Sequence, residues 1–154
     1  MPEHEAQAAS IPNPALQPFG ILIGTWNTTA THPLVPDTIL RGRTSFEWLE
    51  HGAFLLLRSE IDDPRFPKGI AIIASDDSER ECYMLTFDDR GVSRKYEMSL
   101  RDNTWSWWRN APGFAQRYEC TLVDGGNTIV GKGELSKDGA TWEKDLDVTY
   151  TRHK

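Results

Sequence analysis

The feature of this sequence that most constrains its fold is a succession of short strand-like segments separated by compact turns. GTWNTTAT (24–31) is the first, and about nine further segments rich in Phe, Tyr, Trp, Thr, Val and Ile follow it. The connectors carry Gly, Pro, Asn and Asp, as in DDPRFPKG (62–69), NAPG (110–113) and DGGN (124–127). Because connectors this short join antiparallel neighbours, the sequence predicts a meander of about ten strands.

A meander of this size leaves two unpaired edge strands unless it closes on itself. We therefore predict an all-β fold, a single closed antiparallel up-and-down barrel of about ten strands. The run ALQPFGILI (15–23) predicts a short helix near residues 15–22 that caps one end of the barrel. With 154 residues the chain fits one domain, assigned to residues 15–154, after a flexible N-terminal arm at residues 1–14.

Composition and charge exclude several classes of function. The net charge is −6 without a basic block, which argues against binding to nucleic acid or to anionic membranes. The two cysteines, Cys82 and Cys120, lack a CxxC or metal-like spacing, so we expect interior thiols rather than a disulfide or catalytic pair. The N-terminus has no apolar signal region and no stretch is long enough to span a membrane. We expect a cytoplasmic protein, either a monomer or a homodimer.

The Gly24-Thr25-Trp26 motif, placed after a short helix and before a ten-strand meander, resembles the calycin superfamily of lipocalins, fatty-acid-binding proteins and nitrobindins. The resemblance implies that Trp26 closes one end of the barrel and that Gly24 lets the strand start beside the helix. Over about residues 16–152 the chain is also similar to an uncharacterised bacterial calycin-like family, a domain of unknown function. Three strings carry this similarity: FEWLEHGAFLLLR (46–58), FDDRGVSRKYEMSL (87–100) and GATWEKDLDVTYTR (139–152).

Three arginines are candidate ligand-binding residues because each can project from a largely apolar face. Arg94 alternates with Tyr96, Arg109 alternates with two tryptophans, and Arg58 follows FLLL. A guanidinium among aromatic walls holds the acidic headgroup of an apolar molecule, as in the fatty-acid-binding relatives. The alternative, which stays open for Arg94, is an ion pair with a nearby acidic residue. We predict that the barrel cavity binds a small, largely apolar or amphipathic molecule with an acidic or polar headgroup, through Arg94, Tyr96, Arg109, Arg58, Phe46, Trp105 and Trp107.

The resemblance to nitrobindins adds a haem-dependent alternative, which would act on nitric oxide or peroxynitrite. In nitrobindins a histidine near the C-terminus binds the haem, and His153 would take that role here. Residues 27–29, NTT, stand where nitrobindins have glycines, so we expect no haem, and no metal or other cofactor. His4 and His51 are expected to be solvated, in a tail and a turn, and His32 ends the first strand.

A second alternative is an enzyme of the cyclase or isomerase kind found among calycins, which needs an interior acid or base. The sequence has no nucleophile motif, and DDRG (88–91) has the composition of a turn. Glu143, Asp145 and Asp147 are expected on one solvated outer face, because like charges repel in a closed interior. We therefore expect binding without catalysis.

Overall fold

The structure is a computed structural model that describes residues 10–78 and 81–153, so residues 1–9 of the expected arm lie outside the described residues. A 3₁₀ helix, Pro14–Leu22, precedes ten strands. The strands are β1 Gly24–Thr31, β2 Leu40–Leu49, β3 Phe54–Ile61, β4 Gly69–Ser75, β5 Cys82–Asp88, β6 Ser93–Arg101, β7 Thr104–Arg109, β8 Ala115–Val123, β9 Thr128–Ser136 and β10 Glu143–Arg152. Single-turn 3₁₀ helices, Glu50–Gly52 and Asp124–Gly126, join β2 to β3 and β8 to β9.

The ten strands form one closed antiparallel barrel, in which each strand pairs with its sequence neighbours and β1 pairs with β10. The closing register runs from Trp26 opposite Arg152 to Thr31 opposite Asp147. The predicted fold class is thereby confirmed, and the short N-terminal helix is of the 3₁₀ type.

One end of the barrel, the helix end, is closed by Pro14–Leu22. Trp26 is fully buried there, and its indole Nε1 donates a hydrogen bond to the Leu22 carbonyl oxygen at 2.9 Å. Arg152 holds its guanidinium 4.2 Å from the Trp26 ring centre and donates to the carbonyl oxygens of Ile23 and Ile21 at 2.8 and 2.7 Å. Gly24 adopts a φ of +131°, and a Cβ there would lie 3.1 Å from the Arg152 guanidinium. The glycine thus allows the chain to turn from helix to strand beneath this arginine.

The other end, the loop end, carries the connections 32–39, 62–68, 89–92, 110–114 and 137–142. Most of the interior between the two ends is filled by one apolar core that includes Trp26, Phe46 and Trp105. A second, smaller cluster lies near the loop end, where Val35 packs with apolar residues of β1, β2 and β10 and against Phe66. Two loops therefore cover part of the loop end.

Strand β10 contains a bulge that changes which side chains face inward. Lys144 pairs with Glu134 but Asp147 pairs with Lys132, so two residues of β10 stand opposite Gly133 alone. A bulge of this kind reverses the in–out alternation beyond it. The expectation of three carboxylates on one outer face is wrong for this reason. Asp145 is buried, with 8% exposure, whereas Asp147 forms a 3.0 Å ion pair with Lys144.

Both cysteines are free thiols: Cys120 is buried and Cys82 is half-buried. Burial raises the pKa of the Cys120 thiol to about 12, and it also raises the pKa of Cys82. No helix among residues 10–78 and 81–153 is long and apolar enough to cross a membrane.

Candidate functional site

Polar side chains from four strands and one loop converge inside the barrel near the loop end. We call this group the polar cluster, and it consists of His32, Arg94, Tyr96, Arg109, Gln116, Tyr118 and Asp145. Gln116, Tyr96 and Asp145 are each less than 9% exposed. Such a group of buried polar side chains requires mutual hydrogen bonds to offset its desolvation.

The hydrogen bonds of the polar cluster form a continuous path. The Tyr96 hydroxyl donates to Gln116 Oε1 at 2.7 Å, and Gln116 Nε2 makes longer contacts with the Tyr118 hydroxyl at 3.4 Å and Asp145 Oδ2 at 3.5 Å. The Tyr118 hydroxyl donates to Asp145 Oδ2 at 2.7 Å. His32 Nε2 lies 3.0 Å from Asp145 Oδ1, and its Nδ1 accepts from the Leu34 amide at 3.1 Å. Because Nδ1 accepts a hydrogen bond, the ring proton lies on Nε2, and the Nε2–H group donates a hydrogen bond to Asp145.

Strand β9 must have a small inward residue where this path crosses it, because Tyr118 on β8 and Asp145 on β10 lie on either side of that strand. Gly133 supplies the space. A Cβ at Gly133 would lie 2.7 Å from Tyr118 Cδ1 and closer still to Cε1, so the tyrosine ring lies directly over this glycine. The bulge opposite Gly133 then turns Asp145 toward the tyrosine hydroxyl. The glycine and the bulge together bring the two side chains into contact.

The electrostatics of the polar cluster favour neutral tyrosines. Burial, followed by the charge of Asp145, raises the pKa of Tyr118 well above its ordinary range. Burial also raises the pKa of Tyr96, although the positive charges of Arg94 and Arg109 oppose this shift. Both hydroxyls are therefore hydrogen-bond donors at neutral pH.

Two guanidinium groups enter the cluster from β6 and β7. Arg94 makes a 3.5 Å contact with Gln116 Oε1 and lies 5.1 Å from the Phe114 ring centre. Arg109 stands opposite Gln116 in the β7–β8 register. Among the ion pairs formed by the described residues, none with an N–O distance of 4.0 Å or less involves Arg94 or Arg109. The two guanidinium groups outnumber the single carboxylate of the cluster, Asp145, so the cluster carries an excess of positive charge.

An aromatic column leads from the polar cluster toward the helix end. Trp107 stacks on Tyr118 with ring centres 5.0 Å apart, Trp105 lies 4.4 Å from Trp107, and Phe46 lies 5.7 Å from Trp105. Trp105 is fully buried, and its indole Nε1 has no hydrogen-bond partner among the described residues. An unpaired buried N–H costs roughly 1–3 kcal/mol, so this donor is available to a polar atom that is not part of the chain.

The expected site residues divide into two groups. Arg94, Tyr96 and Arg109 lie in the polar cluster, and Phe46, Trp105 and Trp107 form the column. Arg58 belongs to neither, because it faces outward from β3 and lies 3.8 Å from Glu47 with 62% of its side chain exposed. The prediction that Arg58 faces the cavity is therefore wrong. Side chains alternate along β3, and positions 55 and 57 contribute to the interior core, so position 58 faces outward.

The three histidines within the described residues do not offer a free imidazole nitrogen to the interior. His153 is exposed beyond the last strand, and His51 is exposed in the connection between β2 and β3. Both nitrogens of His32 are engaged by Leu34 and Asp145. The residues present thus do not fit haem ligation through His153, and His4 lies outside the described residues. The DDRG segment comprises the last residue of β5, Asp88, and most of the β5–β6 turn, in which Gly91 has a φ of +79°; Asp88 pairs with Arg90 at 2.7 Å.

Sequence reasoning did not identify Gln116, Tyr118 and Asp145 as site residues. In AQRYEC the alternation of Gln116 and Tyr118 with two charged residues does place the former pair on the inner face. The two glycines of GKG (131–133) fall on one face of β9 and indicate that large side chains cross that strand. The inward orientation of Asp145 depends on the bulge, which has no clear sequence signal.

Comparison with known proteins shows a similarity in fold but no match to a protein family. No protein-family model matches the chain, and no curated protein gives a significant match. The crystal structure of Rv2717c from M. tuberculosis is similar, with a TM-score of 0.63 and 13% identity over 94% of this chain and 100% of that chain. A protein with unknown function from the DUF3598 family of Nostoc punctiforme PCC 73102 aligns over 86% of this chain and 97% of that chain, with 8% identity. Its TM-score of 0.26 is too low to indicate a shared fold. Rv2717c therefore shares the barrel fold.

Proposed function

We propose that this barrel, as a member of the calycin superfamily, binds a small, largely apolar molecule that carries an acidic group, and that it does not transform it. The observation that carries the proposal is the excess positive charge of the polar cluster, where Arg94 and Arg109 approach Gln116 without a carboxylate partner within 4.0 Å among the described residues. A partly buried guanidinium without a counterion is stabilised by an anionic ligand, which it can bind through two parallel hydrogen bonds.

The aromatic column supports the apolar part of the same ligand. Trp107 is half-buried and stacks on Tyr118, so it supplies apolar area next to the polar cluster, and the unpaired N–H of the neighbouring buried Trp105 is a second donor for a polar atom of the ligand. Residues 105 and 109 are four positions apart on β7, which corresponds to roughly 13 Å along a strand. We expect a ligand with its acidic group at the loop end and its body against the column.

A fluorescent fatty-acid analogue titrated into the full chain tests this proposal, and we expect saturable binding in the micromolar range. Arg94→Gln and Arg109→Gln should each weaken binding by roughly 10- to 150-fold, because each removes a charge-assisted hydrogen bond of about 1.5–3 kcal/mol. Arg58→Gln is the matched control on the outer surface and should leave the affinity unchanged. An uncharged ester of the same analogue should bind weakly and respond little to Arg94→Gln.

Absence of binding would contradict the proposal, as would equal losses in Arg94→Gln and Arg58→Gln. Mass spectrometry of molecules that co-purify with the chain would identify the natural ligand. We expect an organic acid with a hydrophobic body.

A second candidate function is an enzyme of the cyclase or isomerase kind, and the position of Asp145 favours it. This carboxylate is buried inside the barrel and is oriented by donors from Tyr118 and His32 at 2.7 and 3.0 Å. In such an enzyme Asp145 would accept a proton from the substrate and would then donate to the Tyr118 oxygen, which frees the Tyr118 O–H to turn toward the developing negative charge. Transfer of solvent deuterium into the co-purified molecule, lost in Asp145→Asn, would support catalysis. Binding without deuterium incorporation would favour the first proposal.

A further inference from the structure

The outward faces of β4, β5 and the first half of β3 are apolar, whereas Arg58 and Glu60 of β3 and the neighbouring strands β2 and β6 carry mostly polar side chains outward. We call this region the outer apolar face, and it centres on Phe54, Leu56, Ile70, Ile72, Leu85 and Phe87. These residues alternate with the inward-facing residues of the same strands, which belong to the main core. Leu56 is only 6% exposed and yet belongs to neither interior core, so its cover comes from side chains on the outside of the barrel.

The outer apolar face is large enough to be a binding surface. Phe54, Ile70 and Phe87 are 41%, 37% and 42% exposed. Three neighbouring strands with about three outward residues each cover roughly 15 by 20 Å, or about 300 Å². A continuous apolar patch of this size is comparable to the largest patch on a typical monomer, and such patches are often functional.

The strand registers place five outward side chains in one row across the barrel wall. Glu47 pairs with Leu56, Leu56 with Ile72, Ile72 with Leu85, and Leu85 with Lys95. The row therefore has an acid at one end, a base at the other and three aliphatic side chains between them. The acid and the base stand two strands away from the central Ile72 on opposite sides.

We propose that the outer apolar face binds a second copy of this chain, related by a two-fold axis that runs parallel to the strands above Ile72. This axis reverses the row, so Glu47 of each copy faces Lys95 of the other while the aliphatic residues pack together. A two-fold axis along the row would instead bring Glu47 against Glu47, which is unfavourable. An isologous interface requires a surface that is complementary to itself, and the row meets this requirement in one orientation.

The adjacent row agrees with the same orientation. It contains Arg58, Ile70 and Phe87 in register. The proposed axis places Arg58 of each copy over Phe87 of the other, an arrangement suited to a cation–π contact. The ion pair between Arg58 and Glu47 within one chain is 3.8 Å long and exposed, so its rearrangement costs little. Because the apolar area is modest, we expect a dimer with a dissociation constant in the micromolar range.

Sedimentation velocity of the full chain over a range of concentrations tests the proposal, with wild type expected to pass from monomer to dimer. Glu47→Lys and Lys95→Glu should each raise the dissociation constant about tenfold or more, because each puts like charges together twice in the dimer. The double variant Glu47→Lys with Lys95→Glu should restore the wild-type constant. Phe87→Ser, on an exposed side chain, should also weaken the dimer while leaving the melting temperature nearly unchanged.

Lys132→Glu, at an exposed side chain of β9 away from this face, is the control and should dimerise as wild type does. A chain that stays monomeric at its highest soluble concentration overturns the proposal. The proposal is also overturned if neither single charge reversal changes the dissociation constant of the dimer, or if the double variant does not restore it.

Discussion

Substitution of Gly133 by alanine should destabilise the barrel, because the new methyl group collides with the Tyr118 ring. The Cβ would lie 2.7 Å from Tyr118 Cδ1 and 2.9 Å from the Leu146 carbonyl oxygen, so either the ring or the backbone must shift. The ring is the softer of the two, and its displacement takes the hydroxyl away from Asp145, where it now lies at 2.7 Å.

The loss in the free energy of unfolding of Gly133→Ala is the sum of three contributions. Overpacking of this kind costs roughly 1–3 kcal/mol, and loss of a hydrogen bond to a charged acceptor costs roughly 1.5–3 kcal/mol. Alanine restricts the unfolded chain more than glycine does, which returns roughly 0.4–1 kcal/mol. The free energy of unfolding should therefore fall by about 3 kcal/mol, which lowers the melting temperature by roughly 6–12 °C for a domain of this size.

Urea denaturation and thermal unfolding measure this loss. Gly20→Ala is the matched control, since its Cβ would lie at an ordinary 3.6 Å from the Trp48 ring. Tyr118→Phe completes a double-mutant cycle with Gly133→Ala, and the two losses should overlap by about 1.5–3 kcal/mol because both remove the same hydrogen bond. The reasoning is refuted if Gly133→Ala is as stable as Gly20→Ala, or if the losses in the cycle add.

Three further predictions concern protonation, thiol reactivity and haem. Backbone hydrogen bonds from Thr141 and Ala140 lower the pKa of Asp138 from 3.8 to about 2, so its stabilising contribution is present above about pH 4 and lost toward pH 2. Asp138→Asn should reduce stability at pH 7 and flatten the pH dependence of urea unfolding between pH 4 and pH 2; an unchanged profile would contradict this. Iodoacetamide at pH 8 should leave the buried Cys120 unmodified in the folded chain, as measured by peptide mass spectrometry, and labelling as fast as in denatured protein would contradict this. Ferric haem should give no one-to-one Soret band, and His153→Ala should change nothing; a sharp band lost in that variant would establish a haem site.

The barrel could be predicted from the sequence because its strands are short, regular and joined by turns. The alternation in β6, for example, places Arg94 and Tyr96 on one face, and that face is the inner one. Closure follows because an open sheet of ten strands would expose two edges. These features depend on local pattern, which a single sequence contains.

The polar cluster could be predicted only in part, because its remaining members depend on register. Asp145 points inward through a bulge, and a one-residue change in register exchanges the two faces of a strand. Arg58 follows an apolar run, FLLL, in which two neighbouring leucines, Leu55 and Leu56, face opposite sides, so the run does not reveal the direction of the arginine. The contact between Tyr118 and Asp145 joins strands that are not neighbours, and no local pattern encodes it.

The pairing of β1 with β10 has a consequence for how the chain folds during synthesis. Arg152 binds the Ile23 carbonyl oxygen across a separation of 129 residues, and the barrel closes only when that part of the chain is available. At a translation rate of roughly 5–20 residues per second, the nascent meander keeps an open β1 edge for about 6–26 seconds. Contacts so distant in sequence also make folding slow. The growing chain is therefore most exposed to aggregation just before its last strand appears, and a chaperone that shields strand edges would act in this interval.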